Sequence, residues 1–214
     1  MPELGPWLLW LAGVATAYSV IILSLGVQRE RNAMIASGYN AALASGTLLT
    51  AAALLLFYNL AASNFRIEYV ASYTSRELPI LYKLSAFWGG QAGSLLLWAW
   101  LLVLFTVAVL LLYRRRNLAT LPYVVAILMG IVLFFNVLLL TIAPPFALLA
   151  HTPANGNGLN PLLQHPAMAA HPPLLYLGYV GMAVPLAFGL AALLSGKLDD
   201  SWVSNVRYWT LIPW

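Results

Sequence analysis

Residues 121–142 read LPYVVAILMGIVLFFNVLLLTI, a run without one charged side chain. A helix needs about 20 apolar residues to cross the hydrocarbon core of a bilayer, so this run predicts a membrane span. Four further uncharged runs predict four more spans, at 6–27, 39–62, 93–113 and 173–194. Residues from about 209 onward resemble the start of a sixth span, which would be completed in a longer protein. Because lipid cannot satisfy exposed backbone groups, the expected fold is an all-α polytopic transmembrane helix bundle, one membrane domain over residues 1–214.

The composition excludes a water-soluble domain. Of the 214 residues, 62% are hydrophobic and only 7% are charged, whereas soluble domains carry roughly a quarter charged residues. The chain contains no cysteine, which excludes disulfides, thiolate metal sites and thiol nucleophiles within it. The pI near 9.5 reflects basic residues in short loops, so it indicates membrane topology and no nucleic-acid partner.

The distribution of basic residues between the loops predicts the orientation of the bundle. Alternate loops fall into two sets. One set contains seven basic residues: Arg29, Arg31, Arg114, Arg115, Arg116, Lys197 and Arg207. The other set contains three: Arg66, Arg76 and Lys83. The positive-inside rule places the first set in the cytoplasm. The N-terminus and the long loops 63–92 and 143–172 are then expected outside.

All three histidines lie in or beside the second long loop. His171 precedes Pro172 and Pro173, which predicts a position near the N-cap of the fifth span. A neutral imidazole there could ligate a metal, although an interfacial histidine can equally serve as an amphipathic anchor. His151 and His165 are flanked by loop residues, and a solvated role is expected for both.

Two other groups of residues are candidates for ligand contacts. The segment from Trp88 to Trp98 combines aromatic side chains with Gly90 and its neighbouring glycines. It could line a ligand pocket, or it could form an aromatic belt with close helix packing. The basic residues Arg66, Arg76 and Lys83 could pair with the carboxylates of an anionic ligand, or they could be solvated.

One polar residue and one proline within the spans are expected to affect helix packing and helix shape. Asn136, in the fourth span, is expected to bond a neighbouring helix. Pro185 is expected to kink the fifth span. The spans contain no ionisable side chain of the kind that an ion pump usually places mid-membrane.

Several stretches carry a resemblance to a known family. They are Pro2-Glu3-Leu4-Gly5, Tyr69-Val70-Ala71-Ser72, Leu78-Pro79 with Tyr82, the Trp88–Trp98 segment, Asn160-Pro161-Leu162-Leu163-Gln164, and the run from His171 to Gly181. Together they resemble the N-terminal part of CcmF, the haem lyase family of the bacterial cytochrome c maturation system.

The resemblance implies a function in cytochrome c biogenesis at the periplasmic face of the bacterial inner membrane. Family members take haem from the chaperone CcmE and attach its vinyl groups to the CxxCH thiols of apocytochrome c, which CcmH-type partners present. His171 matches one of two outer axial ligands of a non-covalently held, b-type haem. Trp88, Gly90, Trp98 and Tyr176 would then be candidate pocket walls, and Arg66, Arg76 and Lys83 candidate propionate contacts.

This chain departs from the complete family pattern. It lacks the Trp-rich WWD motif, the second outer histidine and the two histidines that hold a separate intramembrane haem. In the family these lie beyond the matched region, so a second haem is expected only in a full-length protein. Many relatives also have Glu where this chain has Ala92. The 214 residues alone are expected to be inactive as a lyase, and a haem transporter or a non-catalytic scaffold remain alternative functions.

Overall fold

The computed structural model describes residues 3–116, 118–196 and 201–214. Lys197 of the basic set therefore lies outside the described residues. Within these ranges the chain is helical, and its β-pairing is an isolated antiparallel bridge between Ile67 and Leu148. The helices are α1 Leu4–Gln28, α2 Asn32–Ala61, α3 Glu68–Tyr73, α4 Ile80–Ser85, α5 Gln91–Tyr113, α6 Leu121–Thr141, α7 Pro166–Gly181, α8 Ala183–Ser195 and α9 Ser201–Leu211.

Five helical segments are long and apolar enough to cross a membrane, which confirms the predicted fold class. They are α1, α2, α5, α6 and the pair α7–α8, which spans Pro166–Ser195. The second and fifth segments each begin seven residues before the expected start, at Asn32 and Pro166. Hydropathy measures the length of an apolar run, whereas helical hydrogen bonding continues through the polar residues that flank it.

Small and hydroxyl-bearing residues hold α1 against α2, the most extensive helix pair in the bundle. The hydroxyls of Thr16 and Ser45 hydrogen-bond at 2.7 Å, and the Ser19 hydroxyl donates to the Gly38 carbonyl at 2.9 Å. All four residues are buried. Apolar side chains gain little by leaving lipid for a helix interface, so close packing and such hydrogen bonds stabilise it instead.

Asn136 joins α6 to α1, as the sequence predicted. Its side chain is fully buried. With its amide nitrogen toward Leu9 and its oxygen toward Gly13, it donates to the Leu9 carbonyl and accepts from the Gly13 N–H, both at 3.2 Å. This polar side chain therefore fixes the fourth span against the first.

The fifth span is interrupted at Met182, between α7 and α8. Pro185 explains the break, because proline has no N–H to donate to the Gly181 carbonyl and its ring crowds that oxygen. The interruption lies about one turn before the proline, at the place where a kink was expected, and the kink itself stays a prediction.

A short helix, α9, lies where the sixth span was expected to begin. It starts at Ser201, eight residues before the expected start, and ends at Leu211. Tyr113, in the last turn of α5, donates its hydroxyl to the Asn205 carbonyl at 2.8 Å and accepts from the Trp209 indole at 3.3 Å. These bonds dock α9 on the main bundle.

The two long loops pack together at one end of the bundle, in a unit formed by residues 63–90 and 143–165 that we call the loop layer. The Glu68 N–H donates to Ala147 at 2.9 Å, and the Leu149 N–H donates to Arg66 at 3.0 Å. The Asn157 N–H donates to the Ala71 carbonyl at 2.8 Å. The expectation that both loops share one face of the membrane protein is consistent with this pairing.

Candidate functional site

His171 lies inside α7, so its predicted position at an N-cap is wrong. The helix begins five residues earlier at Pro166, and His165 is its N-cap, whose Nδ1 accepts from the Ala167 N–H at 3.2 Å. A proline at the first helical position together with a side-chain cap is a complete helix start. A residue before a proline is biased against helical backbone, but this bias does not always end a helix. At His171 the helix continues through Pro172 and Pro173.

His171 heads an exposed apolar face of α7. Leu174 and Leu175 follow at three and four residues and are 65% and 42% exposed, so they share its side of the helix. The same face continues along a crevice of about 350 Å³, lined by Leu174, Leu175, Gly178, Tyr179, Met182, Pro213 and Trp214. The imidazole is itself exposed. The His171 imidazole thus lies one helical turn before a concave apolar surface that begins at Leu174.

The opposite side of α7 packs into the bundle through Tyr176. Its ring meets Trp98 edge-on, with centroids 5.5 Å apart, and Trp98 also contacts Phe135 at 5.4 Å. Five residues separate His171 from Tyr176, which corresponds to about 140° around the helix axis. The structure therefore places the imidazole on one face of α7 and the Trp98–Tyr176 pair on another, and does not bring them together.

Trp88 and Gly90 belong to a turn that is organised by Tyr69. The Tyr69 hydroxyl donates toward the carbonyls of Ala86 and Phe87, both at 3.0 Å, and accepts from the Gly90 N–H at 3.1 Å. Burial raises the pKa of this phenol, so it stays protonated. Trp88 is half-buried next to this network.

The glycines of the turn are required by this packing. A Cβ on Gly90 would overlap the Tyr73 ring, and a Cβ on Gly93 would overlap the Phe87 carbonyl and the Tyr69 hydroxyl. Close approach of an aromatic side chain to the backbone is a recognised reason for glycine. The structure thus gives these glycines a packing role.

Two of the three basic candidates are engaged within the loop layer. The Arg76 Nε donates to the Ala154 carbonyl at 3.1 Å, and its guanidinium lies 5.6 Å from the centre of the Phe65 ring. Lys83 donates to the Ser63 hydroxyl at 2.8 Å and to the Arg76 carbonyl at 3.1 Å. Their nitrogens therefore stabilise the loops in this structure.

Arg66 forms an exposed ion pair, unlike the other two basic candidates, which form hydrogen bonds within the loop layer. It lies 3.6 Å from the Glu3 carboxylate, and both side chains are more than half exposed. An exposed pair of this kind contributes little to stability. Arg66 is therefore the basic residue with most freedom to pair with another anion.

The hydrogen bonds that connect the two loops were missed by sequence reasoning. The Asn155 amide donates to Glu77 at 2.9 Å, and its side-chain oxygen accepts from the Arg76 N–H at 3.0 Å. The Asn155 bond holds the pKa of the Glu77 carboxyl below its usual value. These residues are almost 80 positions apart, and no local pattern links them; covariation between the positions would be the signal that finds them.

His151 and His165 are both exposed, as expected for loop residues. In the described ranges no group of three or more His, Cys, Asp or Glu side chains is close enough to hold a metal ion. His171 is thus a candidate for a single metal ligand. A histidine is one of the side chains that hold haem iron from one side of the ring.

Comparison with known proteins assigns this helical architecture to a class. Residues 88–214, more than half of the chain, match the family described as "Cytochrome C assembly protein". The chain belongs to this family.

Individual relatives narrow the assignment to the CcmF type. The chain is 41% identical to "Cytochrome c-type biogenesis protein CcmF" of Escherichia coli (strain K12) and covers 33% of that protein with 100% of its own length. It is 36% identical to "Cytochrome c-type biogenesis protein CycK" of Rhizobium meliloti (strain 1021), covering 31% of it with 99% of its own length. A solved structure, "Cytochrome c Heme Lyase CcmF", superposes with a TM-score of 0.84 at 30% identity over 100% of this chain and 33% of that chain.

The chain spans about a third of the length of the relatives that it matches. The suspected resemblance to the N-terminal part of CcmF is confirmed, together with a place in the cytochrome c biogenesis and haem lyase family.

Proposed function

We propose that this chain forms part of a cytochrome c haem lyase and holds haem for attachment to apocytochrome c. The single observation that carries the proposal is the position of His171, exposed at the head of an apolar crevice on α7. An imidazole ligand beside a flat apolar surface suits a haem, whose iron takes a nitrogen ligand and whose porphyrin ring is largely apolar.

The residues present fit one side of a non-covalently held, b-type haem. His171 would ligate the iron, and Leu174, Leu175 and Tyr179 would contact the ring. When bound, haem supplies the vinyl groups that form thioether bonds with the two thiols of a CxxCH motif. The protein contributes orientation, because holding the two reactants in place lowers the entropic cost of their reaction. Arg66 is the basic residue best able to pair with a propionate.

The arrangement also supports the proposed partners and location. His171 lies near the loop layer, away from the arginine-rich loops at the other end of the bundle. By the positive-inside rule this end faces the periplasm from the bacterial inner membrane. The proposed partners there are a CcmE-type haem chaperone, a CcmH-type presenting subunit and apocytochrome c. The second axial ligand would come from outside these 214 residues.

The test is His171→Ala in the complete protein, with the amount of bound haem and the yield of holocytochrome as readouts. We expect loss of most of the outer haem and a fall in yield of about tenfold or more, since one axial ligand is removed. His151→Ala is the matched control, because this histidine is also exposed but lies in the loop before α7, outside the α7 face. Unchanged haem and yield in His171→Ala would overturn the assignment.

Two further measurements, the haem absorbance of the unmodified protein and haem transport into vesicles, separate the two alternative functions. A scaffold would show no Soret band in the unmodified protein, even with full support of cytochrome assembly. A transporter would move haem into sealed vesicles at a rate that depends on this chain, whereas the proposed lyase would show haem binding without such transport. Either of these results would replace the lyase proposal.

A further inference from the structure

A second site lies at the end of the bundle opposite to the loop layer, where the arginine-rich loops are. A cavity of about 640 Å³ opens there between the starts of α2 and α6, with Asn32, Tyr39, Arg114 and Leu121 among its lining residues. Its volume falls within the range of small-molecule sites, about 300–1,000 Å³. It has no part in the proposed haem site.

The cavity has the electrostatic character of an anion site. The N-terminal residues of two helices line it, Asn32 of α2 and Leu121 of α6, and neither helix has a side-chain cap among the described residues. At the start of α2, the first N–H groups and the helix dipole favour an anion. At the start of α6, the Leu121 N–H donates to the Leu118 carbonyl at 3.0 Å and Pro122 has no N–H, so this start contributes its dipole. The Arg114 side chain lines the same space and adds a full positive charge. The α2 start, the α6 dipole and one arginine therefore lie at one cavity.

One carboxylate accompanies these positive features. Glu30 lines the cavity as well, in the three-residue turn between α1 and α2, and its φ of +52° fixes the turn in the left-handed region. This backbone conformation is uncommon for a residue other than glycine. A carboxylate beside an anion site suits a ligand that carries a positive group next to its negative one.

The cavity adjoins an apolar crevice within the predicted membrane region. The crevice has a volume of about 390 Å³ and runs between α1 and α6, lined by Leu23, Ala126, Ile127 and Leu194 among others. Val27, Pro122 and Tyr123 line both spaces. A ligand that fills both would thus be charged at one end and apolar at the other.

We propose that this composite site binds a glycerophospholipid whose headgroup carries a phosphate and a primary ammonium. The phosphate lies toward Arg114 and the two helix starts, the ammonium lies toward Glu30, and an acyl chain lies in the crevice between α1 and α6. A free phosphate would use only the polar part, and a further apolar helix would use only the crevice. The lipid is the occupant whose chemistry matches both parts.

The experiment uses the complete purified protein and native mass spectrometry. After delipidation, the protein is mixed with equal amounts of phosphatidylethanolamine, phosphatidylglycerol and phosphatidylcholine that have identical acyl chains. We expect phosphatidylethanolamine to be retained preferentially. Arg114→Gln should lower retention of all three lipids about tenfold, because charge-assisted hydrogen bonds to the phosphate that they share are lost.

Two further variants separate the parts of the site. Glu30→Gln should lower retention of phosphatidylethanolamine to that of phosphatidylglycerol, since only the former has an ammonium group. Ala126→Phe should lower retention of all three lipids by filling the crevice. Arg115→Gln is the matched control, because it removes the same charge from the same short turn at a residue that does not line the cavity.

Several outcomes would overturn the proposal. Equal retention of the three headgroups by the unmodified protein would exclude recognition of the ammonium. An equal loss in Arg114→Gln and Arg115→Gln would reduce the effect to general surface charge. Displacement of the bound lipid by inorganic phosphate would identify a free anion as the ligand. Arg114→Lys is the control for misfolding of the Arg114→Gln variant. It keeps the positive charge and should therefore retain most of the lipid.

Discussion

Tyr69 shows how one side chain can shape the approach to a membrane helix. Its ring is buried beneath the turn that leads into α5, and its hydroxyl bonds both carbonyls and an N–H of that turn. Without this hydroxyl, buried backbone groups would lose their partners, which costs more than the bond itself contributes. The orientation of the Trp88 segment therefore depends on an atom outside it.

We predict that Tyr69→Phe destabilises the protein by about 1–3 kcal/mol, because it leaves backbone groups of the turn unsatisfied at almost unchanged volume. The measurement is thermal unfolding in detergent. Tyr58→Phe is the control, since Tyr58 is 66% exposed on α2 and should leave the melting temperature unaltered. Equal melting temperatures for the Tyr69 variant and the unmodified protein would contradict the role of the hydroxyl.

At the scale of single elements, the fifth span combines a helix start and a helix break in one stretch. His165 and Pro166 begin α7 well before the apolar run, and Pro185 separates α7 from α8. The exposed face with His171 lies entirely on the first of these two segments.

We predict that Pro185→Ala restores a continuous helix, because residue 185 then donates to the Gly181 carbonyl. Spin labels at 177 and 193 would move toward the separation of a straight helix, about 24 Å between backbone positions at 1.5 Å per residue. Pulsed electron paramagnetic resonance measures this change against the unmodified background.

A second label pair tests whether the change is local to the break. Positions 186 and 193 both lie within α8, so their separation should be the same with proline or alanine at residue 185. A 177–193 distance that is equally unaffected by the substitution would show that the proline does not cause the interruption.

At the scale of the whole molecule, the five spans were predictable because a helix that crosses lipid needs a long uncharged run, and such runs are visible in the sequence. The joining of the two long loops was not, since the Ile67–Leu148 bridge and the Asn155 bonds connect residues far apart in the chain. The choice of His171 as a candidate ligand stays a prediction. Its position within α7 was missed because the helix already begins at Pro166, before the Pro172 signal. The sequence did not show that His171 shares a helix face with Leu174 and Leu175, because His171 was expected to precede the helix that contains them.

The orientation of the bundle remains a prediction, and the absence of cysteine makes it easy to test. We expect Ala150→Cys to react with a membrane-impermeant maleimide in intact spheroplasts, because its loop belongs to the end with few basic residues. Arg115→Cys should react only after the membrane is permeabilised. The reverse labelling pattern would place the loop layer in the cytoplasm and exclude a periplasmic haem site.

The pairing of the two long loops also has a consequence for biosynthesis. Leu148 emerges from the ribosome about 80 residues after Ile67, a delay of roughly 4–16 seconds at typical elongation rates. During that interval the second loop has not yet been synthesised, and the carbonyls of Arg66 and Ala71 must be satisfied by water. The loop layer can therefore close only after the fourth span has been synthesised, because that span precedes the second loop in the chain.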